Sequence, residues 1–462
     1  MTKAAPDPDA KLVRAIGIRG ATLLVITEVI GSAIFLTPGV MAATLPSTSL
    51  LLLAWIAGGA IALCGGLTYA EMGAMYPRSG GLYVFLEEAY GSLIAFLFGW
   101  ACILVVLTGG AATVAVGFAT YFSYFIPALS ITRNVVALPT PWGPRSISAG
   151  QMVAAVSILA LGAVNYVGIR TGNRLQATLT VLKIGALAAL PVVALALHPA
   201  TLTLTPVAPP VDGPLVAFGV AMIAVMWAYE GWYYLPFCAG EIADARRTVP
   251  RALLFGILSL VLIYVTVNIA YMLALPLTEI RGVERIAEKA LTALIGAGGG
   301  RIVAATVVVS TLGCNAAVVI AMSRACYAMA ADGLFFKAAA AVHPKYRTPH
   351  VAILMTCVWS ALLTLTGTYE QLFTWVTFAS VAFGVLGGLA VFRLRRLKPD
   401  LDRPYRTWGY PWVPALFVGA LGVLVVNTAF ERPTESVIGV VLVSLGLPAY
   451  WYWSAKRRIL KG

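Results

Sequence analysis

Apolar runs of 18 residues or more recur along the whole 462-residue chain, each long enough to cross about 30 Å of hydrocarbon. That bounds the fold tightly, because a spanning segment must satisfy its own backbone hydrogen bonds, and runs of this length do so as helices. With 60% hydrophobic and 11% charged residues, no sizeable soluble domain fits beside them. Hydropathy punctuated by Gly, Pro and charge places spans at 18–45, 50–76, 91–126, 149–169, 175–197, 214–239, 251–276, 300–330, 350–367, 370–392, 412–430 and 435–455. The expectation is an all-α polytopic membrane protein of 12 transmembrane helices forming one membrane domain, residues 1–462.

Two of these spans are interrupted. "TEVIGSAIFLTPG" around Gly31 and "MWAYEGWYYLPF" around Gly231 place small residues, a carboxylate and aromatics in the middle of apolar helices. Unpaired backbone at mid-membrane is tolerated where it lines a cavity or holds a ligand. Counting five spans from each break makes the interrupted spans the first members of two halves, 18–197 and 214–392, as in an inverted repeat. A tail (1–17) precedes them, and helices 11 and 12 (412–455) follow. The polar segment "PRSGGLYVFLEEAYG" between spans 2 and 3 reads as interfacial. Residues 277–299 read as a short surface helix over the outer entrance, and 127–144 as a Pro-rich loop.

The formal net charge is +13, but Lys and Arg gather at alternate span ends. This is the signature of orientation, with both termini cytoplasmic, rather than of a nucleic-acid partner. The polar amino terminus shows no short apolar stretch with a cleavage site, so the first span is expected to direct the chain to the cell membrane. All six cysteines, Cys64, Cys102, Cys238, Cys314, Cys326 and Cys357, fall in or at the edge of spans, which argues against structural disulfides. The three histidines, His198, His343 and His350, lie at loops or span ends. With no metal-ligand spacing, phosphate loop or nucleophile elbow, neither an enzyme nor a cofactor is expected.

Five ionisable residues sit inside apolar spans or at their breaks: Glu28, Glu71, Lys183, Glu230 and Arg324. A charge there needs a partner, a neutral form or a water-filled cavity. Glu230, within the second break, reads as a side chain that meets substrate or a proton. Glu28 reads equally as a coupling group or as an acid facing inner water. Lys183 reads as an ammonium between the broken first span and the eighth, where a metal cation would otherwise sit, or as a lysine snorkelling to the inner interface. Glu71 and Arg324, near inner span ends, read as structural charge pairs. Trp227 is expected to gate the site from its mid-span position, whereas Tyr233 and Tyr234 read equally as interface aromatics.

These motifs resemble those of the amino acid-polyamine-organocation superfamily, and most of all its L-type amino-acid transporter branch. "IGSAIFLTPG" is similar to the branch's first-span signature, with Ala33 where Gly is usual. "TYAEMGAMYPRSGG", "WAYEGWYYLPFCAGEIADARRTVP" and "RLKPDLDRP" follow in the family's order. The resemblance implies a five-plus-five inverted repeat with two added helices. It also implies backbone amides at Gly31, Ser32 and Ala33 for the substrate carboxylate, beside Ile30. Carbonyls of Val29, Trp227 and Glu230, in the stretch that includes Ala228, Tyr229 and Gly231, would take the α-ammonium. Cys314 stands where the partner of the fifth-span lysine is usually a serine. On family grounds the expected function is sodium-independent exchange of neutral L-amino acids by alternating access. Proton-coupled uptake, antiport of cationic amino acids or amines, and a non-transporting nutrient receptor stay open. Glu230, Tyr233 and Pro236 depart from the common sixth-span pattern, so side-chain selectivity is not carried over. The loop between spans 3 and 4 carries no cysteine, so no disulfide-linked heavy subunit is expected.

Overall fold

The computed structural model describes residues 14, 16–140, 143–167, 170–197 and 213–461; most of the tail and His198 lie outside the described residues. Span 1 is two helices, α1 (Ile18–Val29) and α2 (Ala33–Thr44), meeting at 44°. α3 (Thr48–Met75) is span 2, and α4 (Gly81–Tyr90) is the short segment read as interfacial. Span 3 joins α5 (Ser92–Ala101), a π-helical turn (Cys102–Val106) and α6 (Leu107–Phe122). α7 (Ala149–Val167) and α8 (Arg170–Leu197) complete the first half. The second half opens with α9 (Pro214–Ala228) and a 3-10 stretch (Trp232–Glu241), followed by α10 (Ala245–Ala274). It continues through α11 (Leu277–Ile280), α12 (Ile286–Ile295), α13 (Ala297–Ala331), α14 (His350–Thr366) and α15 (Tyr369–Leu397). α16 (Trp412–Glu431), α17 (Pro433–Ser444) and α18 (Gly446–Lys461) end the chain.

Local chemistry starts several of these helices where the sequence changes character. Ser47 accepts the Leu50 amide at 3.2 Å to cap α3, and Thr368 and Gln371 cap α15 reciprocally. Among the described residues, ten spans are long and apolar enough to cross a membrane if the bent α1–α2 pair counts as one. The segments at the expected fifth and ninth spans, Lys183–Leu197 and His350–Thr366, are shorter apolar helices. One departure from the all-α expectation is small: part of the stretch read as a loop pairs as antiparallel strands, Asn134–Thr140 with Gly143–Ser148.

The repeat is visible in the packing. α3 lies on α10, α6 on α13, and α7 on α14, so spans 2, 3 and 4 each pack against the counterpart five places on. The broken spans follow the same rule: α1 meets the 3-10 stretch and α2 meets α9. α16 rests on α15 and α3 outside this pair of halves.

At the face where the described chain begins, Glu71 is fully buried and held by Arg395 at 2.9 and 2.7 Å, by Arg403 at 3.5 Å and by the Thr407 amide at 2.7 Å. A buried carboxylate with this many donors is a fixed structural anion, as the sequence suggested. Arg324 is different: it is exposed, and among the described residues it forms no ion pair. Its place near the end of α13 leaves it free to reach water, which removes the need for a partner. At the opposite face, Gly282 donates to the Gly39 carbonyl at 3.0 Å, and Arg285 reaches Ser123 Oγ at 3.2 Å. The α11–α12 segment thus packs across α2 and the end of α6.

Candidate functional site

The two breaks meet. Gly231 has φ of 117°, and a Cβ on it would stand 2.9 Å from the Glu28 carbonyl oxygen. Glycine is required there both for the backbone angle and for the approach of one broken helix to the other. Between them lies a cavity of about 50 Å³, room for a few waters. Glu28, Val29, Gly31, Ser32 and Ala33 form its wall from the first break, with Trp227, Glu230 and Tyr234 from the second. α6 contributes Gly110 and Val114, α13 contributes Cys314 and Val318, and α15 contributes Val376.

Helix geometry gives the first break two chemically opposite ends. The leading amides of α2 have no acceptor within their own helix, and its N-terminus carries partial positive charge. Ser32 precedes them without capping them by its side chain; its Oγ instead lies 3.1 Å from the Tyr369 hydroxyl. The trailing carbonyls of α1 carry the opposite partial charge, and a buried cation meets them. Lys183, 2% exposed, donates its ammonium to the Thr27 carbonyl at 3.2 Å and to the Ile30 carbonyl. Cys314 Sγ lies beside this point, 3.6 Å from where a Cβ on Gly31 would be.

The carbonyls of both breaks also converge on a single hydroxyl. Tyr264, from α10, reaches the Val29 carbonyl at 3.2 Å and the Ala228 carbonyl at 3.0 Å. Val29 O accepts the Gly31 amide as well, at 2.8 Å. In the second break, the Tyr233 hydroxyl donates to Glu230 Oε1. Trp227 stacks nearly parallel to Phe373, and its Nε1 donates to the Tyr369 hydroxyl at 3.1 Å. Tyr369 therefore ties Trp227 to Ser32 across the top of the cavity, and this joins the two breaks through one phenol.

The cavity brings together most of the residues singled out from sequence, but five of them stand outside its wall, Lys183 behind α1 and four others. Ile30 is fully buried and offers Lys183 its carbonyl. Ala228 is fully buried, its carbonyl committed to Tyr264. Tyr229 turns away into the contact with span 2, packing on Trp55 and donating to the Trp55 carbonyl at 3.2 Å. Gly231 packs on backbone. Sequence reasoning missed Tyr264 and Tyr369. A lone tyrosine in "LVLIYVTVN" is a signal for the first, since a mid-span phenol needs a buried acceptor. Tyr369 opens its helix and so looks like an ordinary interface aromatic.

Comparison with known proteins agrees over nearly the full length. The amino acid permease family model matches residues 16–446. The chain is 30% identical over 453 residues to the serine/threonine exchanger SteT of Bacillus subtilis, covering 97% of this chain and 99% of that protein. It is 29% identical over 458 residues to the human large neutral amino acids transporter small subunit 2, covering 96% of this chain and 82% of that one. The human Asc-type amino acid transporter 1 is 27% identical over 459 residues, at 96% and 84% coverage. In three dimensions, the inward-facing conformation of Mhp1 matches with a TM-score of 0.57 at 17% identity, covering 99% of this chain and 94% of that structure.

Proposed function

The chain belongs to the amino acid permease family, and on that premise we propose that it exchanges small neutral L-amino acids across the cell membrane by alternating access, without sodium. The observation that carries this reading is the meeting of the two breaks around one cavity whose ends differ in charge. The amides of Ser32 and Ala33 suit a carboxylate, and the carbonyl-rich ends of α1 and α9 suit an ammonium. The remaining wall, Gly110 with Val114, Val318 and Val376, is apolar and close, which suits a short side chain. Serine/threonine and neutral amino-acid carriers among the relatives support the same class.

Lys183 supports sodium independence. Its ammonium neutralises the trailing carbonyls of α1, the work a bound monovalent cation does at a broken helix. The Trp227–Tyr369–Ser32 tie and the α11–α12 segment close one entrance. With Lys and Arg concentrated at the other face, both termini are assigned to the cytoplasm, and the closed entrance to the outside. No cysteine lies between residues 123 and 148, so the chain is assigned a working form without a disulfide-linked subunit.

Purified protein in liposomes preloaded with each neutral amino acid tests this directly. Labelled serine or alanine uptake is expected to rise with internal amino acid and to be unchanged when sodium is replaced by choline. Uptake that needs sodium and ignores the internal amino acid overturns the reading.

A further inference from the structure

Three charged side chains surround the point where the breaks meet, and they do not cancel. Glu28 and Glu230 both face the cavity, and Lys183 lies behind α1. A zwitterionic substrate adds no net charge, so the closed site holds one negative charge in excess in a poorly solvated place, which is costly. The two carboxylates are not equivalent. Glu230 accepts the Tyr233 hydroxyl, and a donor of this kind stabilises an anion. Glu28 Oε2 is buried with no hydrogen-bond partner among the described residues. Among the described residues, the Lys183 ammonium is already committed to the Thr27 and Ile30 carbonyls on either side of Glu28 in sequence.

We propose that Glu28 is a proton-binding site of the transport cycle: the cavity closes around a neutral amino acid only when this carboxyl carries a proton. The proposal rests on the exchange reading above and adds the proton as a second ligand. The proton comes from water on whichever side the cavity faces and returns to water on the other when the cavity opens there. The titratable groups around Glu28 are Cys314 from α13, Tyr234 and Cys238 from the 3-10 stretch, and Glu230 across the same cavity, while Lys183 from α8 and Tyr264 from α10 hold the neighbouring backbone carbonyls. The Glu28 carboxyl gains a hydrogen-bond donor by taking a proton, which lets it pair with a carbonyl or with Glu230.

The sign follows: closure is favoured at low pH and lost as pH rises. In liposomes buffered to the same pH on both sides, serine or alanine exchange by the native protein is expected to fall about tenfold per pH unit above its midpoint, the slope of one titrating group. Glu28→Gln, permanently neutral, is expected to flatten that profile, and Glu230→Gln to keep its slope. A Glu28→Gln profile that follows the native one overturns the proposal. A second measurement needs only native protein. Calorimetry of serine or alanine binding at the alkaline end, in buffers of different ionisation enthalpy, is expected to read uptake of about one proton per amino acid bound, by the same linkage. No proton uptake overturns the proposal even if the variant fails to fold. Exchange that persists with a flat native profile defeats this proposal alone, whereas absence of exchange for every amino acid defeats the transport reading on which it rests.

Discussion

The two breaks occupy matching places in the two halves, yet they are built differently. In the first, the backbone is held by side chains from other helices: Lys183 on the trailing carbonyls, Tyr264 on Val29 and Tyr369 on Ser32. Beyond it the chain resumes as regular α-helix, α2. In the second, the chain resumes as a 3-10 stretch, and the groups facing the cavity are long side chains, Trp227, Glu230 and Tyr234. The first break is therefore a backbone frame held from outside, and we propose that the second, with Trp227, carries the gating part. The two breaks thus differ in construction although they take corresponding places in the chain.

Four substitutions test that difference. Gly231→Ala attacks the contact between the breaks, where a Cβ would meet the Glu28 carbonyl at 2.9 Å. Backbone strain and overlap together should cost about 4 kcal/mol, read as a large drop in thermal stability with loss of exchange; a native melting temperature would break the comparison. Lys183→Met strips the frame of its cation and should cost about 3 kcal/mol, again lowering stability and exchange together. If this variant exchanges normally, the first break does not depend on its ammonium.

The other two act on the gating side and should spare stability relative to closure. Tyr369→Phe removes its hydroxyl from both Ser32 and Trp227, worth about 2 kcal/mol and so about thirtyfold in the balance between closed and open forms of the entrance beside this tie. The readout is modification of Cys314, which lines the cavity, by a membrane-impermeant thiol reagent after the other five cysteines are replaced by alanine. Faster modification is expected, with protection by added serine or alanine. Trp227→Phe keeps the stacking on Phe373 but loses one hydrogen bond, and a shift of about fivefold is expected in the same assay. Unchanged labelling in both variants would remove the Tyr369 tie from the gate.

Much of this arrangement was legible in the sequence, because the bilayer leaves few alternatives. An apolar run of this length has to be a helix, so Gly31 and Gly231 stand out as interruptions, and Lys183, Glu28 and Glu230 as charges needing an explanation. Tyr229 shows the limit of that logic. It sits in the second break beside Glu230, yet it points into Trp55, because the face a residue presents after an irregular turn depends on backbone angles that periodicity does not reach. Arg324 shows another limit, since a charge close to a span end has water as a partner. The hairpin at 134–148 escaped because Pro and polar residues mask its short alternation.

The sequence by itself determined that the chain is a bundle of spanning helices in two halves with a break at the head of each, because an unpaired amide or charge in hydrocarbon is so costly that it marks itself. Only the tertiary structure decided what each break touches. Lys183 lies 156 residues from the Thr27 carbonyl it binds, and Tyr369 lies 337 from Ser32. Contacts at such separations depend on how helices distant in sequence pack, within the first half for Lys183 and between the halves for Tyr369, and no local pattern encodes them. The same packing leaves Glu28 Oε2 without a hydrogen-bond partner among the described residues and makes a buried acid, ambiguous in sequence, the proposed site for a proton.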